Sequence, residues 1–285
     1  MYAVTGASGQ LGRLVLQSLI ARVAPADIVA LARDPARLAD FAAQGVAVRR
    51  FDYDAPETLA SALAGVERLL LVSANEVGKR APQHRAVIDA AKAAGVGFIA
   101  YTSILHADTG GMKLAEEHLA TERALAESGV PHALLRNGWY TENYLPGLTA
   151  ALEHGALPGS AGAGRISAAA REDYAEAAAV ILASDSVETR THELAGDQSF
   201  TLTEFAAALS EIAGKPVVYR DLAEADYAQL LESIGLPSPF AAILADSDAR
   251  AAQGALFDEG HALSALIGRP ATPWRETLAA ALHAG

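Results

Sequence analysis

The chain contains no cysteine, which excludes a disulfide framework, a thiolate metal centre and a cysteine nucleophile and fits a reducing compartment. Its eight histidines are scattered without an HxxxH or HxH pair, so no metal-ligand spacing is offered. Excess positive charge is missing too: 22 Lys and Arg stand against 34 Asp and Glu, a formal net charge of −12. A surface of that sign does not replace phosphate counterions, which argues against nucleic acid as a partner. No run approaches the ~20 apolar residues of a membrane span. The N-terminus shows neither a basic stretch nor a cleavage site, because residue 2 already belongs to a strand. The expectation is a cytoplasmic protein with no membrane association, no nucleic-acid partner and no metal; nothing in the sequence sets its oligomeric state.

What is present suits a large globule: 285 residues, 51% hydrophobic and 20% charged, enough for one large domain or a domain plus a lobe. The most informative stretch is Val4-Thr5-Gly6-Ala7-Ser8-Gly9-Gln10-Leu11-Gly12, with three glycines at three-residue spacing between an apolar strand and a helix-like segment. Glycine lets the backbone turn sharply and pass close to a diphosphate, and the first N–H groups of the next helix face that anion. At the start of a βαβ pattern, such a loop reads as a dinucleotide cradle.

Apolar runs predict strands at 1–5, 28–32, 46–51, 68–72, 98–102 and 132–136. Helices are expected between them. One covers 10–22, one follows the Asp34-Pro35 cap, and one runs from an Asp54–Glu57 capping box to Leu63. The last two cover 82–94 and 114–128, closed by Gly95 and Gly129. This alternation predicts an α/β fold, a doubly wound parallel (Rossmann) sheet over residues 1–137. Residues 138–285 read as a smaller C-terminal α+β lobe over the sheet's carboxyl edge, its segments free to interleave with the first domain. Within it, 155–164 reads as an irregular connection, helices are expected at 174–182, 202–213 and 224–233, and short strands near 191–194 and 217–220. Asp173 reads as an N-cap, His84 as a surface residue, the His106–Asp108 stretch as a structural loop, and Asp246 and Asp248 as solvated loop carboxylates.

Ligands of such sheets bind beyond the carboxyl ends of the strands, which singles out loops 6–12, 33–34, 52–54, 73–80, 103–112 and 137–145. A carboxylate at the end of strand two reads a ribose 2′-hydroxyl, whereas an arginine accommodates a 2′-phosphate. Strand two here ends in Arg33, whose guanidinium suits phosphate in shape and charge. Asp34 is the competing ribose carboxylate, but its place before Pro35 favours the cap. The residues thus favour NADP over NAD. The Tyr-xxx-Lys pair with which short-chain dehydrogenases protonate a carbonyl is missing: Leu105 lies four residues after Tyr101, Thr109 four before Lys113, and segment 114–128 has no tyrosine. Either the reaction needs no strong protein acid or the acid comes from elsewhere. A quinone meets the first condition, since its reduction yields an aromatic hydroquinone anion and positioning supplies most of the catalysis.

The stretches TGASGQLG (5–12), ARDP (32–35), LLLVSANEVGKRAPQHR (69–85), AAKAAGVGFIAYTSILHAD (90–108), LLRNGWYTENY (134–144), LAGD (194–197), LADSD (244–248) and LIGRP (266–270) span nearly the whole chain. Together they resemble the NmrA-like, atypical short-chain dehydrogenases, and within them the bacterial type 2 NAD(P)H:quinone oxidoreductases. The resemblance implies a Rossmann domain with a smaller lobe, NADPH as donor with NADH weaker, no flavin, and a small-molecule quinone as acceptor. It implies that Gly6, Ser8, Gly9, Gln10, Leu11 and Gly12 line the diphosphate and Arg33 the 2′-phosphate. Ser73, Ala74 and Asn75 would lie beside the ribose and nicotinamide. Asn137, Gly138, Trp139, Tyr140 and Asn143 would lie by the nicotinamide and the acceptor, with Lys113 and Tyr140 as candidate catalytic groups. Relatives that bind the dinucleotide and regulate a partner give a second reading, a redox sensor. A reductase or epimerase of another carbonyl substrate is the third.

Overall fold

Short apolar runs and the helices between them alternate through the first half of a computed structural model. It describes residues 1–76 and 78–284; Val77, inside the expected 73–80 loop, and Gly285 lie outside the described residues. In chain order the first elements are β1 (Tyr2–Val4), α1 (Gln10–Ile20), β2 (Ile28–Ala32), α2 (Ala39–Ala42), β3 (Ala47–Arg50) and α3 (Glu57–Ala62). There follow β4 (Arg68–Leu71), α4 (Arg80–Ala93), β5 (Phe98–Ile104), α5 (Lys113–Ser128) and β6 (His132–Asn137). Beyond them come α6 (Leu148–His154), β7 (Ala156–Gly159), α7 (Arg171–Ala183), β8 (Arg190–Leu194) and α8 (Leu202–Ala213). The last are β9 (Val218–Asp221), α9 (Glu224–Ser233), α10 (Ser238–Ala251), α11 (Ala262–Ile267) and α12 (Trp274–Ala284). No helix among the described residues is long and apolar enough to cross a membrane.

The chain divides into two units. The first takes Met1–Ile104, Glu117–Asn137 and Glu172–His192; the second takes Leu105–Glu116, Gly138–Arg171 and the residues from Glu193 onward. In the main sheet the strand order is β3-β2-β1-β4-β5-β6-β8, with parallel pairing from β3 through to β6. The chain builds outward from β1 to β3, then returns to add β4 on the other side of β1. That reversal is the switch point at which doubly wound sheets hold their ligands. β2, β5 and β6 are buried along their whole length, as strands covered on both faces must be, and they read as continuous runs rather than alternating ones. Their side chains pack with Val87, Ile88 and Ala91 of α4 and with Leu125 of α5 in one core cluster.

In the second unit β7 and β9 form a parallel pair, and Tyr144, Phe200, Phe205 and Trp274 pack ring to ring. Helix α8 begins at a capping box in which Thr201 and Glu204 satisfy each other's backbone N–H groups.

Several expectations are corrected. The 155–164 connection contains β7, which its partner β9 makes a strand despite Pro158 and Gly159. The strand expected in the lobe near 191–194 is β8, which instead extends the main sheet beyond β6. Asp54 does not cap α3, whose first turn follows Pro56 without a side-chain cap; its carboxylate receives the Gln83 amide at 2.9 Å. Asp173 lies inside α7 and is fully buried, so it is no N-cap. Asp246 and Asp248 are not solvated: they sit on α10 at 1% and 6% exposure. Both receive backbone N–H groups from distant segments, Asp246 from Lys113 at 2.8 Å and Asp248 from Ser160 at 3.0 Å. Burial pushes the Asp248 carboxyl up to about 6.

Candidate dinucleotide-binding site

β1 ends against β4 through Thr5, whose N–H donates to the Leu70 carbonyl at 3.0 Å and whose hydroxyl accepts from Val72 N–H at 2.9 Å. The chain then turns at Gly6, where φ is +58°, a conformation that disfavours any side chain. Gly9 N–H closes the turn on the Gly6 carbonyl at 2.9 Å. Helix α1 starts immediately afterwards with no side-chain cap and no acidic residue in its first turn. Its first N–H groups are thus left for an external acceptor, the arrangement that binds an anion. A Cβ on Gly12 would stand 2.3 Å from the Gly6 carbonyl oxygen and 2.8 Å from Ala7 Cα. Only glycine lets α1 pack this close to the loop.

This loop opens onto a cleft of about 530 Å³ lying wholly within the first unit. Gly6, Ser8, Gly9, Gln10, Leu11 and Gly12 line one side, Arg33 another, and Ser73, Ala74 and Asn75 a third. Ten residues expected at the cofactor are therefore brought together. The cleft also takes in Asp52 and Tyr53, from the expected 52–54 loop, and Arg37, Phe51 and Gln83, which the sequence does not single out. Arg37 lies four residues after Arg33, on the short turn over Pro35–Leu38 that follows the Asp34 cap. Tyr53 donates to Thr5 Oγ1 at 2.7 Å and ties the loop after β3 to the end of β1. Arg33 is mostly exposed, with Glu76 Oε1 3.7 Å from its guanidinium. Asp34 caps the turn that follows, accepting from Ala36 N–H at 3.0 Å.

Asn137 ends β6 at 5% exposure, and neither its amide nitrogen nor its oxygen has a hydrogen-bond partner among the described residues. An orphaned buried amide is costly unless a ligand or water completes it. The remaining expected residues lie in the second unit. Gly138 N–H donates to the Leu194 carbonyl at 2.7 Å, Trp139 is buried, and Asn143 is exposed. Tyr140 is half-buried with the Arg171 guanidinium 4.9 Å over its ring. Lys113 Nζ stands 3.5 Å from Glu224 and 3.7 Å from Asp246. His106 Nε2 lies 3.5 Å from Asp258 in the same unit. His84 is no surface residue: it is completely buried, and burial together with the nearby Arg80 charge lowers its pKa to about 3.

A second cleft of about 320 Å³, in the second unit, is lined by Asp197, Asp258 and Glu259 with His261. Its carboxylates suit no phosphate. No group of three or more metal-ligating side chains is found among the described residues.

The model of the NAD(P)H-binding family matches residues 6–185. The chain belongs to that family. Other members give the match more detail. Quinone oxidoreductase 2 of Escherichia coli is 55% identical over 278 residues, 98% of this chain and 97% of that protein. The crystal structure of an NADPH-dependent quinone oxidoreductase from Escherichia coli complexed with NADPH superposes with a TM-score of 0.97 at 54% identity, covering 99% of this chain and 100% of that one. An NmrA-like family domain-containing oxidoreductase of Aspergillus flavus is 33% identical, over 77% of this chain and 73% of that protein. The NmrA-like resemblance and the Rossmann-type fold expected of the sequence both hold for this family member.

Proposed function

We propose that this protein is an NADPH-dependent oxidoreductase that reduces quinones, converting a quinone, NADPH and a proton to a hydroquinone and NADP⁺. The observation that carries the reading is the 55% identity to quinone oxidoreductase 2 along 98% of the chain. The cleft fits the cofactor: a glycine cradle that one added Cβ would fill, an uncapped helix N-terminus, and Arg33 and Arg37 in its lining.

In this reading the glycine loop and the N-terminus of α1 hold the diphosphate. Arg33, with Arg37 beside it, receives the 2′-phosphate, which sets NADPH above NADH. Ser73, Ala74 and Asn75 follow β4, across β1 from β2 and Arg33, and so hold the nicotinamide half. Asn137, Gly138, Trp139, Tyr140 and Asn143 complete the nicotinamide and acceptor side. Bound NADPH supplies a hydride from C4 of its nicotinamide. The chain's task is to hold the acceptor ring over that carbon and exclude competing water, because the product anion is aromatic and needs little help from an acid. Lys113 and Tyr140 are the proposed proton donors to the hydroquinone oxygen, Lys113 exchanging its carboxylate partners for the acceptor. Residues 1–137 and 138–285 serve as the cofactor and acceptor parts, with 105–116 and 172–192 exchanged between them.

The test is steady-state oxidation of NADPH by purified protein with benzoquinone-type acceptors. Turnover with a quinone is the expected result. Tight NADPH binding with no oxidation above background by any quinone refutes the catalytic reading and favours the sensor.

A further inference from the structure

Residues 73–75, just after β4, belong to no helix or strand, yet three backbone polar groups of Ser73 and Ala74 are taken up by buried side chains. Ser73 N–H donates to Thr102 Oγ1 at 2.8 Å, Ala74 N–H donates to His84 Nε2 at 2.9 Å, and Arg80 Nε donates to the Ala74 carbonyl at 2.7 Å. Thr102, His84 and Arg80 are 4%, 0% and 5% exposed. Both polar groups of Ala74 are therefore clamped from α4. The clamp is itself anchored on α5. His84 Nδ1 lies 2.9 Å from Thr121 Oγ1, which donates to the Glu117 carbonyl at 3.0 Å. Glu117 in turn accepts from Gly78 N–H at 3.1 Å and stands 3.5 Å from the Arg80 guanidinium.

The tautomer follows from these partners. Nε2 accepts from a backbone N–H and so carries no proton; Nδ1 carries it and donates to the threonine, whose own proton goes to Glu117. A doubly protonated ring would set N–H against N–H, so the clamp works only with a neutral imidazole. Nothing in hydride chemistry calls for this histidine, and a helix-packing residue at the same place would be apolar, like Val87, Ile88 and Ala91 further along the same face. A buried polar side chain spent on one loop amide is a device for fixing that amide's position.

We propose that His84 and Arg80 are positioning residues that hold Ser73–Asn75 in the shape that receives the nicotinamide half of the cofactor. The assignment rests on the NADPH reading above. Because β4 lies on the opposite side of β1 from β2, that reading assigns Ser73–Asn75 to one nucleotide of the pair and Arg33 to the other. The two halves of the cofactor are thus separable in experiment.

The test measures Kd for NADPH and for 2′,5′-ADP, which carries only the adenine half, by calorimetry on the folded protein well below its unfolding midpoint. In His84→Leu, NADPH binding weakens roughly tenfold, a change of about 1.4 kcal/mol, while 2′,5′-ADP stays within about twofold. His84→Gln, which returns an acceptor oxygen to the Ala74 N–H, recovers most of the NADPH affinity. Arg80→Met repeats the half-selective loss from the carbonyl side and carries the test if His84→Leu does not fold. A side chain that only packs would lower the unfolding midpoint and leave both dissociation constants of the folded protein alone. That outcome, or an equal loss for both ligands, overturns the proposal. Wild-type protein that binds 2′,5′-ADP but not NADPH, or neither, refutes the cofactor reading itself and the proposal with it.

Discussion

Lowering the pH from 7 to 5 destabilises this protein through His84, and the size of the effect follows from its burial. The unfolded imidazole titrates near 6.5, so it is about one-quarter protonated at pH 7 and almost wholly protonated at pH 5. In the folded chain, burial and the Arg80 charge lower the same pKa to about 3, and the ring stays neutral across that range. Only the unfolded state gains protons, so stability falls as pH drops through 6.5 and goes on falling until about 3, where the folded ring also titrates. Between pH 7 and pH 5 the linkage amounts to about 2 kcal/mol from this one residue. His118, also driven well below its ordinary pKa by burial, adds to the loss with the same sign. Asp248 acts in the opposite direction. Its folded pKa of about 6 lies above the unfolded value, so the folded state takes up its proton first and gains about 1 kcal/mol over the same interval. The wild-type pH profile alone therefore mixes opposing contributions. Comparison with His84→Gln isolates the one of interest, because glutamine keeps an acceptor for Ala74 and does not titrate. Urea unfolding of both proteins at pH 7 and pH 5 gives the four free energies. The wild type should lose about 2 kcal/mol more than the variant. Equal losses, within about 0.5 kcal/mol, would show that His84 is protonated in the folded protein and that its acceptor role is wrong.

Three further outcomes are expected. Arg33→Ala removes a charge-assisted contact to the 2′-phosphate, about 1.5–3 kcal/mol, so Kd for NADPH rises at least tenfold while that for NADH changes less than twofold; a parallel loss of both means that Arg33 does not read the phosphate. Gly12→Ala drives a methyl group to 2.3 Å from the Gly6 carbonyl, costing about 1–3 kcal/mol of stability and weakening NADPH and 2′,5′-ADP alike, and unchanged calorimetric and thermal values would disprove the close approach. Lys113→Ala lowers quinone turnover by less than tenfold, because the product anion tolerates late protonation, whereas a fall of the order of a hundredfold or more, typical of losing a general acid, would point to carbonyl chemistry.

Most of the first unit was legible because its signals are local. The runs at 28–32 and 68–72 announce buried parallel strands, and Gly95 and Gly129 follow the helices they were expected to close. Helices 202–213 and 224–233 have the bounds their periodicity implies. The failures share a cause. Asp246 and Asp248 looked solvated because a carboxylate is almost never buried without partners, and their partners, the N–H groups of Lys113 and Ser160, lie 133 and 88 residues away in the chain. His84 looked like a surface residue between Gln83 and Arg85, although positions 84, 87, 88 and 91 form the buried stripe of α4. Strand β8 looked like part of the lobe because nothing in five residues says which sheet edge will accept them.

The sequence by itself determined the glycine loop that opens α1, since a turn at Gly6, a close approach at Gly12 and an uncapped helix start are properties of consecutive residues and their allowed dihedrals. Arg33 likewise follows from its place directly after β2. Only the tertiary structure decided which polar groups are buried and what they do: that Asp246 receives the first N–H of α5, that Asn137 ends its strand with an unsatisfied amide, and that His84 braces the loop after β4. Each of those roles is set by a partner far away in sequence, and a hydrogen bond exists only once folding has brought donor and acceptor within about 3 Å.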